Sequence, residues 1–498
     1  MRHDDLIPSP PVPPGRRIGK WLALGVGLVV LVSLMWWAVP ELRCGGFSGV
    51  RYTGGECVGV TDGSFVFDPE FRDIEQKIKA ENDWVVGEAE NEGVPYVKIA
   101  LLTTLTPTDS SPMHPEQVRS SLEGAYVALR RANRTRGLGD PDPLIQLHLA
   151  NEGSVQAQWP TAVAQLEQMV DDDAPLVAVV GQGVSTASTI EAAERLSQQG
   201  IPMVTGATTA DGLDHEHIEG MLRIAPSNTD FTTALRQYLD DQDDLESGLL
   251  VQDSTKSDTF VTTLREAYRA RLEAYIEFPA QPFPGASVEQ GGPDVFYPIT
   301  QNICSADPDM VFFAGRAYDL EIFLEALSER ICRARPLTVF FAEVGLYPRG
   351  DEETHAQLDE GKITVLQATG VDPGWARGET ETPVGFEDFY AHYRELPSSG
   401  PETLDNGYAI TYHDTIATAV SAIRLTNPLA LDEGPPSLAD VRGKLLLLNE
   451  EHAVQGASGT LSFTEDRGGN PGGKHIPIVP YPYSGDVAAT DPYITPVR

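Results

Sequence analysis

"VAVVGQGVSTASTIEAAERL", Val177 to Leu196, holds an apolar run that ends at glycine, a cluster of small hydroxyl residues, and the start of a helical pattern. A strand followed at once by a helix leaves backbone N–H groups pointing out at the carboxyl edge of a sheet. Hydroxyl side chains there accept such orphan N–H groups as helix caps. The same edge favours a bound carboxylate. At least one of Ser185, Thr186 and Ser188 is therefore expected to cap the helix. A second edge of this kind follows the next apolar run in "VTGATTADGL", which delivers Ala207, Thr208 and Thr209. Two adjacent strand ends that both supply hydroxyls point to a cleft with Ser185 and Thr209 side by side. In this expectation Ser185 both caps its helix and faces the ligand. A nucleophilic role for Ser185 would need a base, and no GxSxG elbow supports one.

Outward from this turn, strand and helix patterns alternate from Val97 onward. "VKIALLTTL" reads as a buried strand, and "PEQVRSSLEGAYVALRRAN" as a helix with Val118, Leu122, Ala125, Leu129 and Ala132 on one face. "LIQLHLA", "LVAVVG" and "IPMVTG" are further strands. The pattern restarts after "MLRIAPSNTDF", with strands at "SGLLVQ", "DMVFFAG", "LTVFFAE" and "ITVLQATG" and helices between them. This alternation predicts α/β architecture, in parallel sheets covered by helices on both faces and divided between two lobes.

The chain has 498 residues and a formal net charge of -37, which excludes the basic footprint of a nucleic-acid binder. Trp21 to Val39 carries no charge and is long enough to span a bilayer as a helix. Arg16, Arg17 and Lys20 precede it, so the N-terminus is expected in the cytoplasm and the bulk outside the cell. A cleaved leader would need small residues at its cleavage site, but Trp36 stands two positions before Ala38. The four cysteines, Cys44, Cys57, Cys304 and Cys332, form an early and a late pair in a predicted oxidising compartment. The local pairing, Cys44–Cys57 and Cys304–Cys332, is the expected one, and no CxxC spacing suggests a metal.

Other tempting motifs carry little. "GGNPGGKH", Gly468 to His475, matches a phosphate loop as far as Lys474, but His475 replaces the hydroxyl, and the proline-rich stretch after it cannot form the required helix. It reads as a glycine-rich turn. His215 and His217 in "DHEHIEG" lack the converging ligands a metal needs. No cofactor or metal is expected.

The ordered series "VKIALLTTLT", "GAYVALRRAN", "VVGQGVSTAST", "IPMVTGATTADGL", "MLRIAPSNTDFTTAL", "YHDTIATAVSAI" and "GASGTLSFTEDRGG" resembles the type 1 periplasmic binding proteins. It is most similar to the branched-chain amino acid (Leu/Ile/Val) substrate-binding proteins of ABC transporters, over residues 96–483. The resemblance implies a two-lobed clamp joined by three crossings, with lobe I over 96–227 and 368–455 and lobe II over 228–367 and 456–498. A cytoplasmic tail (1–20), the span (21–39) and a membrane-proximal region (40–95) precede it. It further implies that Ser185, Ala207, Thr208 and Thr209 hold an amino acid's carboxylate and ammonium from lobe I. From lobe II it implies Arg316, Tyr318 and Glu343. Ser257 or Lys256 stands where the family has an aromatic residue, and Arg316 suits a more polar ligand. The expected function is a membrane-anchored extracellular solute-binding protein, not an enzyme, serving an ABC permease. A ligand-sensing receptor built on the same clamp is the alternative.

Overall fold

The computed structural model describes residues 44–497 except 47–48, 109, 286–290, 347–351, 427–433, 484 and 486–491. Strands β1 (Arg51–Thr53), β2 (Glu56–Thr61), β3 (Tyr96–Thr103), β4 (Leu144–Asn151), β5 (Leu176–Val184), β6 (Met203–Ala207) and β7 (Met221–Arg223) form one sheet. Its order is β1-β2-β4-β3-β5-β6-β7. From β4 to β7 all pairings are parallel, while β2 runs antiparallel to both β1 and β4.

The second sheet is built from β8 (Gly248–Asp253), β9 (Ile276–Phe283), β10 (Met310–Ala314), β11 (Leu337–Glu343) and β12 (Ile363–Thr369). A smaller antiparallel sheet follows from β13 (Val454–Gly456), β14 (Gly459–Ser462) and β15 (Gly472–Ile476). Strand β16 (Ile478–Tyr481) then returns to close the edge of the second sheet against β12, and β17 (Tyr493–Ile494) pairs with β15.

Period-two alternation explains why helices cover both faces. Val97, Ile99 and Leu101 of β3 enter one core with the helices Pro115–Arg134 and Tyr408–Arg424. Ala100 and Leu102 enter the opposite core, under the helices Trp159–Gln168 and Ala187–Gln198. In lobe II, Val311 and Phe313 face one helix layer while Met310 and Phe312 face the other. Strands buried on both sides read as continuous apolar runs, as these do.

The helix Tyr408–Arg424 brings a late part of the chain back into lobe I, with every residue from Tyr408 to Val420 buried. Its Asp414 accepts the N–H of Ala457 at 2.6 Å and of Ser458 at 2.9 Å, which fastens the small sheet to the lobe I core. The chain crosses between lobes in three places: between β7 and the helix Asn228–Asp240, just after β12, and between β14 and β16. At the third crossing Phe463 still belongs to the lobe I core, whereas Ile476 belongs to lobe II.

The region 40–95, set apart in the sequence as membrane-proximal, is an integral part of lobe I where it is described. The β1–β2 hairpin extends the first sheet, and the helix Arg72–Glu92 buries Ile74 and Ile78 in the main core beside Val50 and Phe71. The apolar spacing in "FRDIEQKI" has a packing partner that local sequence does not reveal. The expected span at 21–39 lies outside the described residues, and among the described residues no helix is long and apolar enough to cross a membrane.

Both expected disulfides are present, Cys44–Cys57 and Cys304–Cys332, and no cysteine is free. The second links the end of the helix Tyr297–Ala306 to the turn after the helix Ala317–Ser328, with Cα atoms 5.5 Å apart. The two cysteines are 28 residues apart, so the bridge should stabilise lobe II by about 3–4 kcal/mol in the loop-entropy picture. Urea denaturation of the Cys304→Ala/Cys332→Ala double variant should show a loss of that order. An unchanged unfolding midpoint would contradict it.

Candidate functional site

The carboxyl ends of β5, β6, β10 and β11 meet where the two lobes face each other. Strand β5 is twisted just before its end: Gly181, Gln182 and Gly183 have φ of 89°, 59° and 57°. Gly183 permits this freely. Gln182 does so at a cost of roughly 1–3 kcal/mol, which the surrounding sheet must offset. The kink delivers Ser185 to the lobe interface.

There Ser185 does something other than capping. Its Oγ accepts the N–H groups of Thr209 and Ala210, each at 3.0 Å, and so staples the two strand-end turns together. The helix cap is Thr186, whose hydroxyl accepts the N–H of Thr189 while Thr189 reaches back to the Thr186 N–H. The expectation that Ser185 is itself the cap is corrected here. A reciprocal Thr–Thr cap left Ser185 one residue outside the helix and free to reach the neighbouring turn. Ala207 ends β6, Thr208 pairs its hydroxyl with that of Thr205 at 2.6 Å, and the Thr209 carbonyl accepts the N–H of Asn228 at the first crossing. All four residues are buried.

Lobe II supplies the charges. Arg316 follows β10 after Gly315 and stands at the N-terminus of the helix Ala317–Ser328. Its Nε and Nη2 donate to the two carboxylate oxygens of Asp258 at 2.8 and 3.0 Å. The same Nη2 donates to the Ser185 carbonyl of lobe I at 2.7 Å. The ring of Phe260 lies 4.8 Å below the guanidinium. Burial works against the charge on Arg316, but Asp258 outweighs it and holds the guanidinium firmly protonated. Asp258 is fixed in turn because it caps the helix Thr259–Arg271 through the Val261 N–H.

Glu343 ends β11, and its Oε1 accepts the Val344 N–H at 2.9 Å. Desolvation pushes its pKa up, against the pull of that N–H and of Arg316. Burial likewise raises the pKa of Tyr318. Arg316, Tyr318 and Glu343 line one cavity of about 110 Å³, together with Thr108, Ser111 and His114 of lobe I. The structure therefore brings the three expected lobe II residues together. It places Ser185, Ala207, Thr208 and Thr209 in the adjoining wall rather than on the cavity surface.

Two contributors escaped the sequence reading. Asp258 precedes "TFVTTL" as an ordinary helix cap, and nothing local ties it to Arg316, 58 residues away. The segment Thr108–Gln117 did carry a signal, since hydroxyls and prolines crowd the turn after the first strand of the parallel series, at the same sheet edge.

No protein-family model matches the chain, and no curated protein matches it by sequence. Solved structures do. A leucine binding protein from Thermotoga maritima matches with a TM-score of 0.57 at 16% identity, over 80% of this chain and 99% of the other. The branched-chain amino acid transporter substrate binding protein of Streptococcus pneumoniae, in complex with isoleucine, gives the same TM-score, identity and coverage, 0.57, 16%, 80% and 99%. The fold is that of the type 1 periplasmic binding proteins. A branched-chain amino acid ABC transporter protein from Thermus thermophilus with bound valine also matches, with a TM-score of 0.56 at 13% identity, over 81% of this chain and 98% of its own. At these identities the type 1 fold is shared, while the chemistry of the cleft must be argued from this chain's own residues.

Proposed function

We propose that this chain is a membrane-anchored extracellular solute-binding protein that closes its two lobes on a small amino-acid-like ligand for an ABC importer. The observation that carries this reading is the hydrogen bond from Arg316 of lobe II to the Ser185 carbonyl of lobe I, beside a cavity that Glu343 and Tyr318 also line. A charged group that reaches across a cleft gives the closed state a contact that the open state lacks. Glu343 offers a carboxylate to the ligand's ammonium, since its Oε2 has no hydrogen-bond partner among the described residues. Ser185, Ala207, Thr208 and Thr209 form the lobe I wall.

A thermal-shift screen of the full chain against the common amino acids should find a stabilising ligand. At a hundred times its Kd such a ligand adds about 2.7 kcal/mol. Failure of every amino acid to raise Tm would contradict the reading. The membrane anchor rests on the uncharged run 21–39 and the basic residues before it. Protease added to intact spheroplasts should digest the large domain, and full protection would sink the topology.

A further inference from the structure

A second cavity, of about 590 Å³, lies away from the cleft, whose own cavity holds about 110 Å³. Its size falls within the roughly 300–1,000 Å³ of small-molecule sites. Two of the three connections between the lobes build it. Asp372 and Trp375 follow β12 at the second crossing, and Thr460 of β14, His475 of β15 and Pro477 lead through the third. Strand β17 adds Ile494 to the wall.

The walls carry charge of one sign. Asp372 and Glu381 line the cavity, and no lysine or arginine does. Asp372 is 7% exposed, and its Oδ1 accepts the Gly374 N–H at 2.7 Å. Burial raises its pKa and Glu379 adds to this, against the pull of the Gly374 N–H, Thr380 and Arg377. The carboxylate is closely held: a Cβ on Gly374 would stand 3.0 Å from Asp372 Oδ1 and 2.6 Å from Thr380 Oγ1. His475 adds no positive charge at neutral pH, since burial lowers its pKa and Lys474 lowers it further, against the pull of Glu381. Two nearby cations have carboxylates of their own. Arg377 pairs with Asp405 at 2.7 Å, and Lys474, on the other face of β15 from His475, is drawn to Asp414.

The remaining wall is largely apolar. Trp375, Pro477 and Ile494 contribute to it, and the Trp375 ring stands edge-on to His475 with centroids 6.3 Å apart. Val384 and Ile494, which line the same cavity, are 80% and 47% exposed. Apolar side chains left facing water gain from an apolar body that covers them. An anion would meet two carboxylates and no cation. A bare metal ion would lack ligands, because no group of three metal-ligating side chains is found among the described residues. A carboxylate accepts about four hydrogen bonds, so Asp372 retains capacity for the N–H donors of an ammonium.

We propose that this cavity is a second ligand site, separate from the cleft and placed at the joint between the lobes, and that it takes a small primary amine with an apolar body. The ammonium is held at Asp372, with Glu381 adding to the attraction, and the apolar body lies against Trp375, Val384 and Ile494. A buried carboxylate selects for charge more strongly than an exposed one, because less water screens the pair. The inference does not depend on what the cleft binds.

The test is calorimetric titration of the full chain in detergent at neutral pH. The probes are 2-phenylethylamine, its neutral analogue 2-phenylethanol, and methylamine, which carries the charge without the apolar body. Wild type should bind 2-phenylethylamine saturably, and about tenfold or more tightly than either of the others. Asp372→Asn keeps an oxygen for the Gly374 N–H, and should lower the amine-to-alcohol affinity ratio by about 10- to 100-fold, the range for a lost charge-assisted hydrogen bond. Any general loosening of the cavity weakens both ligands and cancels from that ratio. Thr460→Trp fills the cavity from an exposed position on β14 and should abolish amine binding while the circular dichroism spectrum stays as in wild type. Glu343→Gln removes the carboxylate of the cleft and tests the rival location. The proposal is overturned if the amine shows no saturable binding in the millimolar range, if the alcohol binds as tightly as the amine, or if Glu343→Gln abolishes amine binding while Asp372→Asn and Thr460→Trp do not.

Discussion

One guanidinium organises the interface between the lobes. Arg316 is 6% exposed, and a buried cation must have partners on every side. Asp258 supplies two of them and the Ser185 carbonyl a third. The pair with Asp258 lies wholly within lobe II, so it exists whether the clamp is open or shut. The bond to Ser185 spans the two lobes, so on the proposed reading it would be lost on opening. A buried ion pair adds little net stability compared with apolar packing, because its desolvation cost is large. Its use here is placement: Asp258 aims the guanidinium across the cleft, and closure then requires no reorganisation of the charge.

The lobe I side of that contact depends on a second constraint. Ser185 presents its carbonyl to Arg316 only because its own Oγ holds the neighbouring turn through Thr209 and Ala210. The Thr209 carbonyl in turn holds Asn228 at the first crossing. A continuous set of hydrogen bonds therefore runs from the lobe-bridging arginine to a segment that joins the lobes. Any movement at that crossing is felt at the cleft wall through short, directional contacts.

The fold was legible because its signals are local. Alternating apolar runs and helical faces marked the strands and helices of both lobes, and the glycine-hydroxyl turns marked the functional edge of the first sheet. The cysteine pairing was legible from spacing in the chain. What stayed hidden depends on contacts distant in sequence. Helix Arg72–Glu92 reads as a charged amphipathic segment until the core that takes Ile74 and Ile78 is known. Asp258 reads as a cap until Arg316 is placed beside it. Lys474, in a stretch that reads as a turn, lies in β15 fully buried, its Nζ donating to no acceptor among the described residues, and burial lowers its pKa to about 8 against the pull of Asp414. Ser185 shows the limit most clearly, since one residue of offset separates a helix cap from a staple between turns.

The chain's charge of -37 sets the background for any ligand. A field of this sign repels anions at a distance and favours a ligand that carries an ammonium. Closure on such a ligand is the central claim, and the distance between the lobes tests it most directly. Glu191 and Glu325 are exposed, one on a helix of each lobe, and all four native cysteines are bridged. Spin labels on cysteines introduced at these two positions of the full chain would report that distance by pulsed electron spin resonance. The amino acid that raises Tm most in the thermal-shift screen should, at saturation, narrow the distribution and shift it to its short end, and Arg316→Lys should broaden it. A distribution that neither the amino acid nor the substitution alters would contradict the account.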